Sequence, residues 1–358
     1  MKIGILTFPN SVSYGASLQM FALYHRLVSM GFDVEIINYH NLFMKKELHY
    51  EKNGSVRNVL KHLYHYKLYS NFRRFEKSKL KKYPQKSFTA MEFLTDVGER
   101  YDAVICGSDQ VWNPDITGSD LSYFLDFCKN STKRISYAPS VGRDTLPEEW
   151  SNKIKQELDK FTAISVRESV VGDMIREMMD IDVPVVLDPT FLLNKDEWIE
   201  MEKTYHIPKS GYVLLYTVKT STYLLNFALE LAKKKKLKVL VVGGNWLSNI
   251  KHYNPTVEYA IDIGPEQWLY LLHNADYVVT NSFHGTAFSI NYRKNFFVEF
   301  SSSTNSRLEQ IVKTFGLEKQ IVGQQLEQCM GETDYSLTEV TLDTLRKESI
   351  AFLENALK

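Results

Sequence analysis

A histidine stands at a strand-to-helix junction in the second half of the chain. The stretch TNSFHGTAFSI follows the apolar run NADYVVT and places Gly285 directly after His284. The first turn of a helix has N–H groups without intrahelical partners, and the helix dipole favours negative charge there, so such a junction suits an anion. The candidate substrate contacts beside the histidine are Ser282, Gly285 and Thr286. The alternative is that His284 caps the helix or lies in the core, with Gly285 as a tight turn.

A second set of polar side chains follows an apolar strand in the first half of the chain. The run YDAVICG leads into CGSDQVWNPD. Open α/β sheets bind ligands at the carboxyl ends of their strands, so Asp109 is a candidate general acid or base and Gln110 a candidate substrate contact. Trp112 is a candidate apolar platform, and Ser108 and Asn113 complete the predicted set. The alternative is an Asx-type loop that Trp112 anchors in the core.

The loop after the first strand is a third candidate. In SVSYGASLQ, Tyr14 and Gly15 lie where the strand turns into a helix, and backbone N–H groups at such a turn can hold a ligand. No G-x-G-x-x-G follows the first strand, and the chain has no G-x-x-x-x-G-K-[ST] sequence. A nicotinamide, flavin or ATP cofactor is therefore not predicted.

Two arginines are candidates for binding a carboxylate or phosphate. Arg167 ends the run ISVRE, and Arg307 lies in NSRLEQIV. The planar guanidinium suits such anions, but each residue has the alternative of a local ion pair or a helix cap. The nine histidines show no H-x-H pattern, and His62 and His65 have no evident carboxylate partner, so no metal site is predicted.

The elements that must position these residues alternate between strand and helix. The runs KIGILTF, DVEIINY, YDAVICG, RISYAPS and AISVRE predict strands, and the amphipathic segments between them predict helices. Parallel strands need such crossovers, so each half is expected to be an α/β unit. The predicted domains are an N-terminal Rossmann-like domain, residues 1–190, and a C-terminal Rossmann-like domain, residues 191–358.

Composition excludes several classes of protein. The chain has 358 residues, 44% hydrophobic and 24% charged, with a formal net charge of zero. Global charge therefore predicts no nucleic acid partner. Cys106, Cys128 and Cys329 are widely spaced, which favours reduced thiols in a cytoplasmic protein. The N-terminus is expected to form a strand rather than a signal peptide. The sequence contains no run of about 20 apolar residues, so no transmembrane helix is predicted.

Taken together, these stretches resemble the polysaccharide pyruvyl transferase family. The resembling stretches, in order, are SYGASLQMFAL, YDAVICGSDQVWNP, ISYAPSVG, ISVRE, VVLDPTFLL and DYVVTNSFHGTAFSI. The resemblance implies an α/β, GT-B-like fold, with two Rossmann-like domains facing across a cleft. It implies phosphoenolpyruvate as the co-substrate, no further cofactor, and a sugar of a surface glycan as acceptor. The product would be a cyclic pyruvate ketal on two sugar hydroxyls.

The resemblance also distributes the roles. The N-terminal domain would hold the acceptor and the C-terminal domain the donor, with the last helix, residues 341–357, packing back on the N-terminal domain. His284 and Asp109 would be catalytic, and Arg167 or Arg307 would meet the donor's charge. Some members of the family carry an arginine two residues before the histidine, where this chain has Ser282.

Two other functions fit the same sequence. A GT-B-like glycosyltransferase would use a sugar nucleotide, for which the stretch VGGNW, residues 242–246, could stack a base. A catalytically silent glycan-binding relative would instead show disruption of the clustered polar residues, which this sequence does not.

One basic segment interrupts the alternation. Residues 44–86 contain 13 Lys and Arg against 3 Asp and Glu, and their apolar positions roughly trace a helical stripe. The simpler interpretation is a solvated helical insertion in the first domain. The alternative is peripheral contact with the anionic cytoplasmic face of a membrane, where a lipid-linked acceptor would be presented.

Overall fold

Each half of the chain forms a five-stranded parallel β-sheet, as the alternation of apolar runs and amphipathic segments predicts. The computed structural model describes residues 1–39, 41, 43, 56–82, 97–243, 254–300, 305–323 and 332–358, with the side chains of 56–65 and 305 outside this set. Two compact units divide the chain. Unit 1 comprises Met1–Gly54, Phe72–Leu193 and Thr344–Lys358, and unit 2 comprises Ser55–Asn71 and Asn194–Asp343.

The sheet of unit 1 has the strand order β2-β1-β3-β4-β5. Its strands are β1 (Lys2–Leu6), β2 (Asp33–Ile36), β3 (Ala103–Asp109), β4 (Lys133–Pro139) and β5 (Ala163–Ile164). The helices are α1 (Tyr14–Ser29), the second half of α2 (Val56–Lys79), α3 (Pro114–Thr117), α4 (Glu148–Leu158) and α5 (Ser169–Met179), with 3-10 turns at Leu121–Phe124 and Pro189–Phe191. The central strand β3 is buried along almost its whole length, as expected for a parallel sheet covered on both faces.

The sheet of unit 2 has the strand order β10-β9-β6-β7-β8. Its strands are β6 (Tyr212–Thr217), β7 (Lys238–Gly243), β8 (Glu258–Tyr259), β9 (Tyr277–Thr280) and β10 (Asn295–Val298). Its helices are α6 (Lys195–Ile199), α7 (Thr222–Lys235), α8 (Pro265–Asn274), α9 (Phe283–Asn291) and α10 (Asn305–Thr314), followed by a 3-10 turn at Glu318–Gln320 and by α11 (Ser336–Leu357). Serine N-caps start the two helices that follow β6 and β9, Ser221 before α7 and Ser282 before α9.

The basic segment is shared between the units, which corrects its assignment to the N-terminal domain alone. Residues 55–71 group with unit 2, where Lys67 and Asn71 donate hydrogen bonds to the side chain and backbone carbonyl of Asp262. From residue 72 onwards the helix α2 belongs to unit 1. There Phe72 and Phe75 are buried and pack against the rings of α1.

The last helix begins earlier than predicted, at Ser336, and its residues from Thr344 group with unit 1. In that unit Ser349 Oγ accepts a hydrogen bond from the Leu187 N–H (3.0 Å), and Arg346 Nε donates to the Phe191 carbonyl (2.6 Å). The Phe352 ring lies 6.3 Å from that of Tyr137. These contacts attach the final 15 residues to the strand β4 and to the turn before residue 193.

A half-buried carboxyl group, that of Asp126, lies in the segment between the 3-10 turn Leu121–Phe124 and β4. Burial raises the pKa of Asp126 to about 6, and the nearby Glu157 and Asp120 add to the shift, while Arg134 opposes it. Oδ1 of Asp126 has no hydrogen-bond partner among the described residues. The folded state therefore holds this proton more tightly than the unfolded chain, whose Asp has a pKa near 3.8.

The Asp126 shift predicts a pH-dependent stability. Below about pH 4 both states are protonated and the group costs nothing. As the pH rises through about 6 the folded state must ionise a poorly solvated carboxyl, so stability falls. We expect Asp126→Asn to be more stable than the wild type by about 1–2 kcal/mol at pH 7.5, a value reduced for the group's partial exposure, and equal to it near pH 4. Urea unfolding at both pH values measures this, and a difference independent of pH would contradict it.

Candidate functional site

The two sheets each have a topological switch point, where consecutive connections leave in opposite directions along the sheet. In unit 1 it lies between β1 and β3, and in unit 2 between β6 and β9. Ligands of open α/β sheets bind outside the carboxyl ends of the strands at such points. Apart from Arg167 and Arg307, the predicted site residues lie at or just after the ends of β1 and β3 in unit 1 and of β9 in unit 2, at the edge where this rule places a ligand.

Asp109 ends β3 in a strained conformation. Its φ of 72° is in the left-handed region, which few residues other than glycine adopt. Its Oδ1 accepts a hydrogen bond from the Gln110 N–H (2.8 Å), and the side chain is half-buried. The carboxylate is thus held by its own loop and retains exposed surface at the switch point, which suits a group that exchanges protons with a substrate.

Gln110 and Asn113 form a closed pair beside Asp109. Asn113 Nδ2 donates to Gln110 Oε1 (2.8 Å), and Asn113 Oδ1 accepts from the Asp115 N–H as the N-cap of α3 (3.0 Å). The backbone of Gly142 (φ 70°) covers the pair so closely that a Cβ there would lie 2.0 Å from Gln110 Oε1. Asn113 is therefore a helix cap that also orients Gln110, and Gln110 lies half-buried beside Asp109.

Trp112 is a core anchor, which is the alternative that the sequence offered to an apolar platform for a ligand. The ring is 2% exposed and stacks on Phe124 at 4.9 Å, and Nε1 donates to the Tyr123 carbonyl (3.0 Å). Burying the large indole with its one donor satisfied stabilises the loop, so the ring is not available to a sugar.

The turn after β1 is largely filled by protein. Tyr14 is 9% exposed and packs against Phe72, and Gly15 is buried in the first turn of α1. Asn10 Nδ2 donates to Asn38 Oδ1 (2.6 Å), and its N–H donates to the buried Glu76 of α2 (3.0 Å). The side chains of this turn are therefore used in packing and hydrogen bonds within unit 1 and expose little to a substrate.

Arg167 lies in a buried charge network rather than on the surface. Its Nε donates to Glu168 Oε1 (2.9 Å) and its Nη1 to Asp188 Oδ2 (2.9 Å), and all three side chains are at most 3% exposed. Burial alone would lower the pKa of the guanidinium, but the charges of Glu168, Asp188 and Asp109 raise it above its usual value. The charge of Arg167 is thus matched within unit 1, as the ion-pair alternative states.

Asp188 connects this network to the Asp109 loop. Its Oδ2 also accepts from Ser108 Oγ (2.8 Å), and its Oδ1 accepts from the N–H and the hydroxyl of Thr190 (3.0 and 2.8 Å). Ser108 is fully buried, so its hydroxyl positions β3 and does not reach a substrate. Sequence reasoning did not single out Asp188, although the D-P-T sequence directly after an apolar run is the signal that could have found it.

His284 lies in the first turn of α9, after the end of β9. The N-cap Ser282 is 3% exposed, and its Oγ accepts from the Gly285 N–H (3.2 Å). Thr286 is buried and donates its hydroxyl to the Ser282 carbonyl (3.0 Å). Ser282 and Thr286 therefore build the helix start, and the half-buried His284, with its Nε2 enclosed, stands beside them at the switch point.

Gly285 allows helix α9 to pack closely on the sheet, rather than allowing a ligand to approach the backbone. A Cβ at this position would lie 2.4 Å from Thr280 Oγ1 and 2.9 Å from the Tyr216 ring. Both neighbours are side chains of the sheet beneath α9. Only glycine lets the helix start so near β6 and β9, and this position fixes where His284 stands.

Arg307 is half-buried in the first turns of α10, the helix that follows β10. This helix belongs to unit 2 and follows the strand next to β9, whereas Arg167 belongs to unit 1. The structure does not bring the two predicted donor-binding arginines into one unit.

Neither a metal-binding cluster nor a membrane-spanning helix occurs in the described ranges. No group of three or more His, Cys, Asp or Glu side chains there has the proximity needed to hold a metal ion. No helix in those ranges combines the length and apolar character that crossing a membrane requires.

Solved structures similar to this chain share its fold at low sequence identity. The UDP-GlcNAc 2-epimerase of Methanocaldococcus jannaschii is 13% identical, with a TM-score of 0.56 and coverage of 96% of this chain and 93% of that one. The Neisseria meningitidis UDP-GlcNAc 2-epimerase, bound to UDP-GlcNAc, is 15% identical, with a TM-score of 0.53 and coverage of 100% and 99%. The GT-B-like α/β fold class is thereby confirmed.

The sequence itself matches a family model over most of its length. No curated protein matched the chain. The model for polysaccharide pyruvyl transferase matches residues 14–298, a range that contains β3 with Asp109, the Arg167 network and His284. The chain therefore belongs to the polysaccharide pyruvyl transferase family, and it is a transferase enzyme.

Proposed function

We propose that this enzyme transfers a pyruvyl group from phosphoenolpyruvate to two hydroxyls of one sugar in a surface polysaccharide, forming a cyclic ketal. The observation that carries the proposal is the position of His284 at the switch point of unit 2, in a chain of this family. Unit 2 would bind the donor, and unit 1, with Asp109 and Gln110, would bind the acceptor.

The reaction sets the tasks of these residues. Protonation of the donor's methylene carbon makes the neighbouring carbon electrophilic, and a sugar hydroxyl attacks it. The C–O bond to phosphate breaks, and a second hydroxyl attacks the same carbon to close the ring. Of the two hydroxyl protons released, one balances the proton added to the methylene carbon and the other leaves with phosphate. A positioned acid and a positioned base are therefore required, and His284 and Asp109 are the candidates.

The donor carries a phosphate and a carboxylate, so its site needs cations and N–H donors. The first turn of α9 supplies the helix end, and Arg307 lies in the helix after the adjacent strand β10. Arg167, whose charge is already matched by Glu168 and Asp188, is removed from the donor side by this proposal.

The test is calorimetric titration of the enzyme with phosphoenolpyruvate, UDP and UDP-GlcNAc, followed by phosphate release in the presence of a panel of nitrophenyl glycosides. We expect phosphoenolpyruvate to bind and at least one glycoside to stimulate phosphate release. Binding of UDP or UDP-GlcNAc without binding of phosphoenolpyruvate would replace this function by the alternative, a sugar-nucleotide glycosyltransferase.

We further propose that the enzyme works in the cytoplasm and that the basic segment holds it at an anionic membrane face, where a lipid-linked acceptor would lie. Phe72 and Phe75 cover the core of unit 1, but Tyr66 and Tyr69 of α2 are 74% and 40% exposed. Exposed tyrosines among basic residues suit a membrane interface. Each Lys or Arg near such a surface contributes about 1 kcal/mol.

The membrane proposal predicts selective and salt-sensitive sedimentation with vesicles. We expect the enzyme to pellet with vesicles rich in phosphatidylserine at low salt, to be released at high salt, and to stay in solution with neutral vesicles. The double variant Tyr66→Ser, Tyr69→Ser should pellet less with the anionic vesicles while melting at an unchanged temperature. Equal partitioning to both vesicle types, or none to either, would contradict the membrane proposal and support the simpler interpretation, a solvated helical insertion.

A further inference from the structure

A lysine lies at the other strand end of the unit 2 switch point. In the register of the sheet Tyr216 of β6 is paired with Thr280 of β9, so the residues after these strands emerge side by side. β6 is followed by Val218 and Lys219, and β9 leads through Asn281 to His284. A ligand at the switch point therefore has His284 on one flank and Lys219 on the other.

Asn281 joins the two flanks through its side chain. Its Oδ1 accepts from the Val218 N–H (3.0 Å), and its Nδ2 donates to the Lys219 carbonyl (2.8 Å). The oxygen and the nitrogen of the side-chain amide are thus both used to fix the backbone of residues 218 and 219 against the end of β9. The start of the Lys219 side chain is held in place while the rest of it reaches into solvent.

Within the described residues, the charge of Lys219 is not matched by a carboxylate. The side chain is exposed, and within the described part of the chain no carboxylate lies within ion-pair distance of it. Two other lysines of unit 2 differ in this respect, because Lys67 pairs with Asp262 and Lys203 with Glu266. The half-buried Glu299, the residue after β10, lies on the opposite side of β9 from Lys219.

We propose that Lys219 binds the phosphate or carboxylate of the donor beside His284. This inference rests on the proposed function, and it names a cation for the donor in a chain that has Ser282 where some relatives have arginine. An ammonium on a flexible stem offers three donors to an anion oxygen. Asn281 is a positioning residue, since it acts on the ligand only by holding the 218–219 backbone.

The test is the affinity of single variants for phosphoenolpyruvate, inorganic phosphate and UDP, measured by calorimetry at low salt. We expect Lys219→Ala to weaken phosphoenolpyruvate binding about ten-fold or more, as the loss of a charge-assisted hydrogen bond does. Lys219→Arg should stay within a few-fold of the wild type. The matched control is Lys238→Ala, which removes an exposed lysine at the amino end of β7, the opposite edge of the same sheet, and should leave affinity unchanged.

The possible results separate this inference from the proposed function. Wild-type affinity in Lys219→Ala overturns the role of Lys219 and leaves pyruvyl transfer standing. An equal loss in Lys219→Ala and Lys238→Ala also overturns it, because only net charge would then matter. If the wild type binds UDP but not phosphoenolpyruvate, and Lys219→Ala no longer binds UDP, Lys219 is still an anion contact. The assignment of phosphoenolpyruvate as the donor is then wrong. A wild type that binds none of the three anions overturns both.

Discussion

Replacing His284 with alanine is expected to lower turnover by about 10²–10⁴-fold while leaving the folded structure intact. His284 is half-buried in the first turn of α9, and the hydrogen bonds that build that turn are made by Ser282, Gly285 and Thr286. A factor of this size is what a positioned general acid or base contributes. The loss should appear in phosphate release.

The matched control for this prediction is His206→Ala. His206 is an exposed histidine of the same unit, so its removal changes composition in the same way without touching the switch point. His206→Ala should melt within about 2 °C of the wild type, since surface substitutions rarely change stability by more than about 0.5 kcal/mol, and the half-buried His284→Ala should lose only a few degrees more. Full activity in His284→Ala, or a melting temperature far below that of the control, would show that the ring is structural.

Local sequence patterns were sufficient for most of the framework. The strands β1, β3 and β9 appear where the apolar runs KIGILTF, YDAVICG and NADYVVT predict them, because strands covered on both faces must be largely apolar. Helix α7 lies between a serine cap and a lysine-rich end, which are standard helix boundaries. The helix α5 was not predicted, and its N-cap Glu168 makes no side-chain capping bond because that carboxylate is turned to Arg167.

The roles of individual site residues depend on contacts that no local pattern contains. The carboxylate of Asp188 is 21 residues from Arg167 and 80 from Ser108, yet it binds both. The burial of Trp112 depends on Phe124 and Tyr123, which lie in the 3-10 turn Leu121–Phe124 further along the chain. Sequence reasoning places such residues at the correct edge of the sheet, but their orientation is set by tertiary packing.

The loop that carries Lys219 illustrates the same limit in unit 2. A lysine directly after a predicted strand has no local feature that separates it from a solvated surface charge. Its relevance comes from Asn281, 62 residues later, and from the strand order that makes β6 and β9 neighbours across the switch point. The order of strands is a property of the whole sheet, so this site residue could be inferred only once the topology was known.

Arg167→Ala is expected to destabilise unit 1 by about 3–5 kcal/mol. The substitution leaves Glu168 and Asp188 buried without their shared cation, and an uncompensated buried charge has a cost of this size. Arg167→Lys should lose less, because it keeps the charge but cannot bond both carboxylates with one planar group. The measurement is the thermal transition of unit 1 by calorimetry, which should fall by roughly 10 °C in the alanine variant.

A surface arginine of the same unit provides the control for this loss. Arg176 pairs with Asp173 and Asp182 while more than half exposed, and such pairs contribute about 0–1 kcal/mol. Arg176→Ala should therefore melt close to the wild type. If Arg167→Ala also melts close to the wild type but no longer binds phosphoenolpyruvate, the guanidinium is a donor contact after all. In that case the bonds from Glu168 and Asp188 would serve to orient the guanidinium toward the donor, because they would make no measurable contribution to stability.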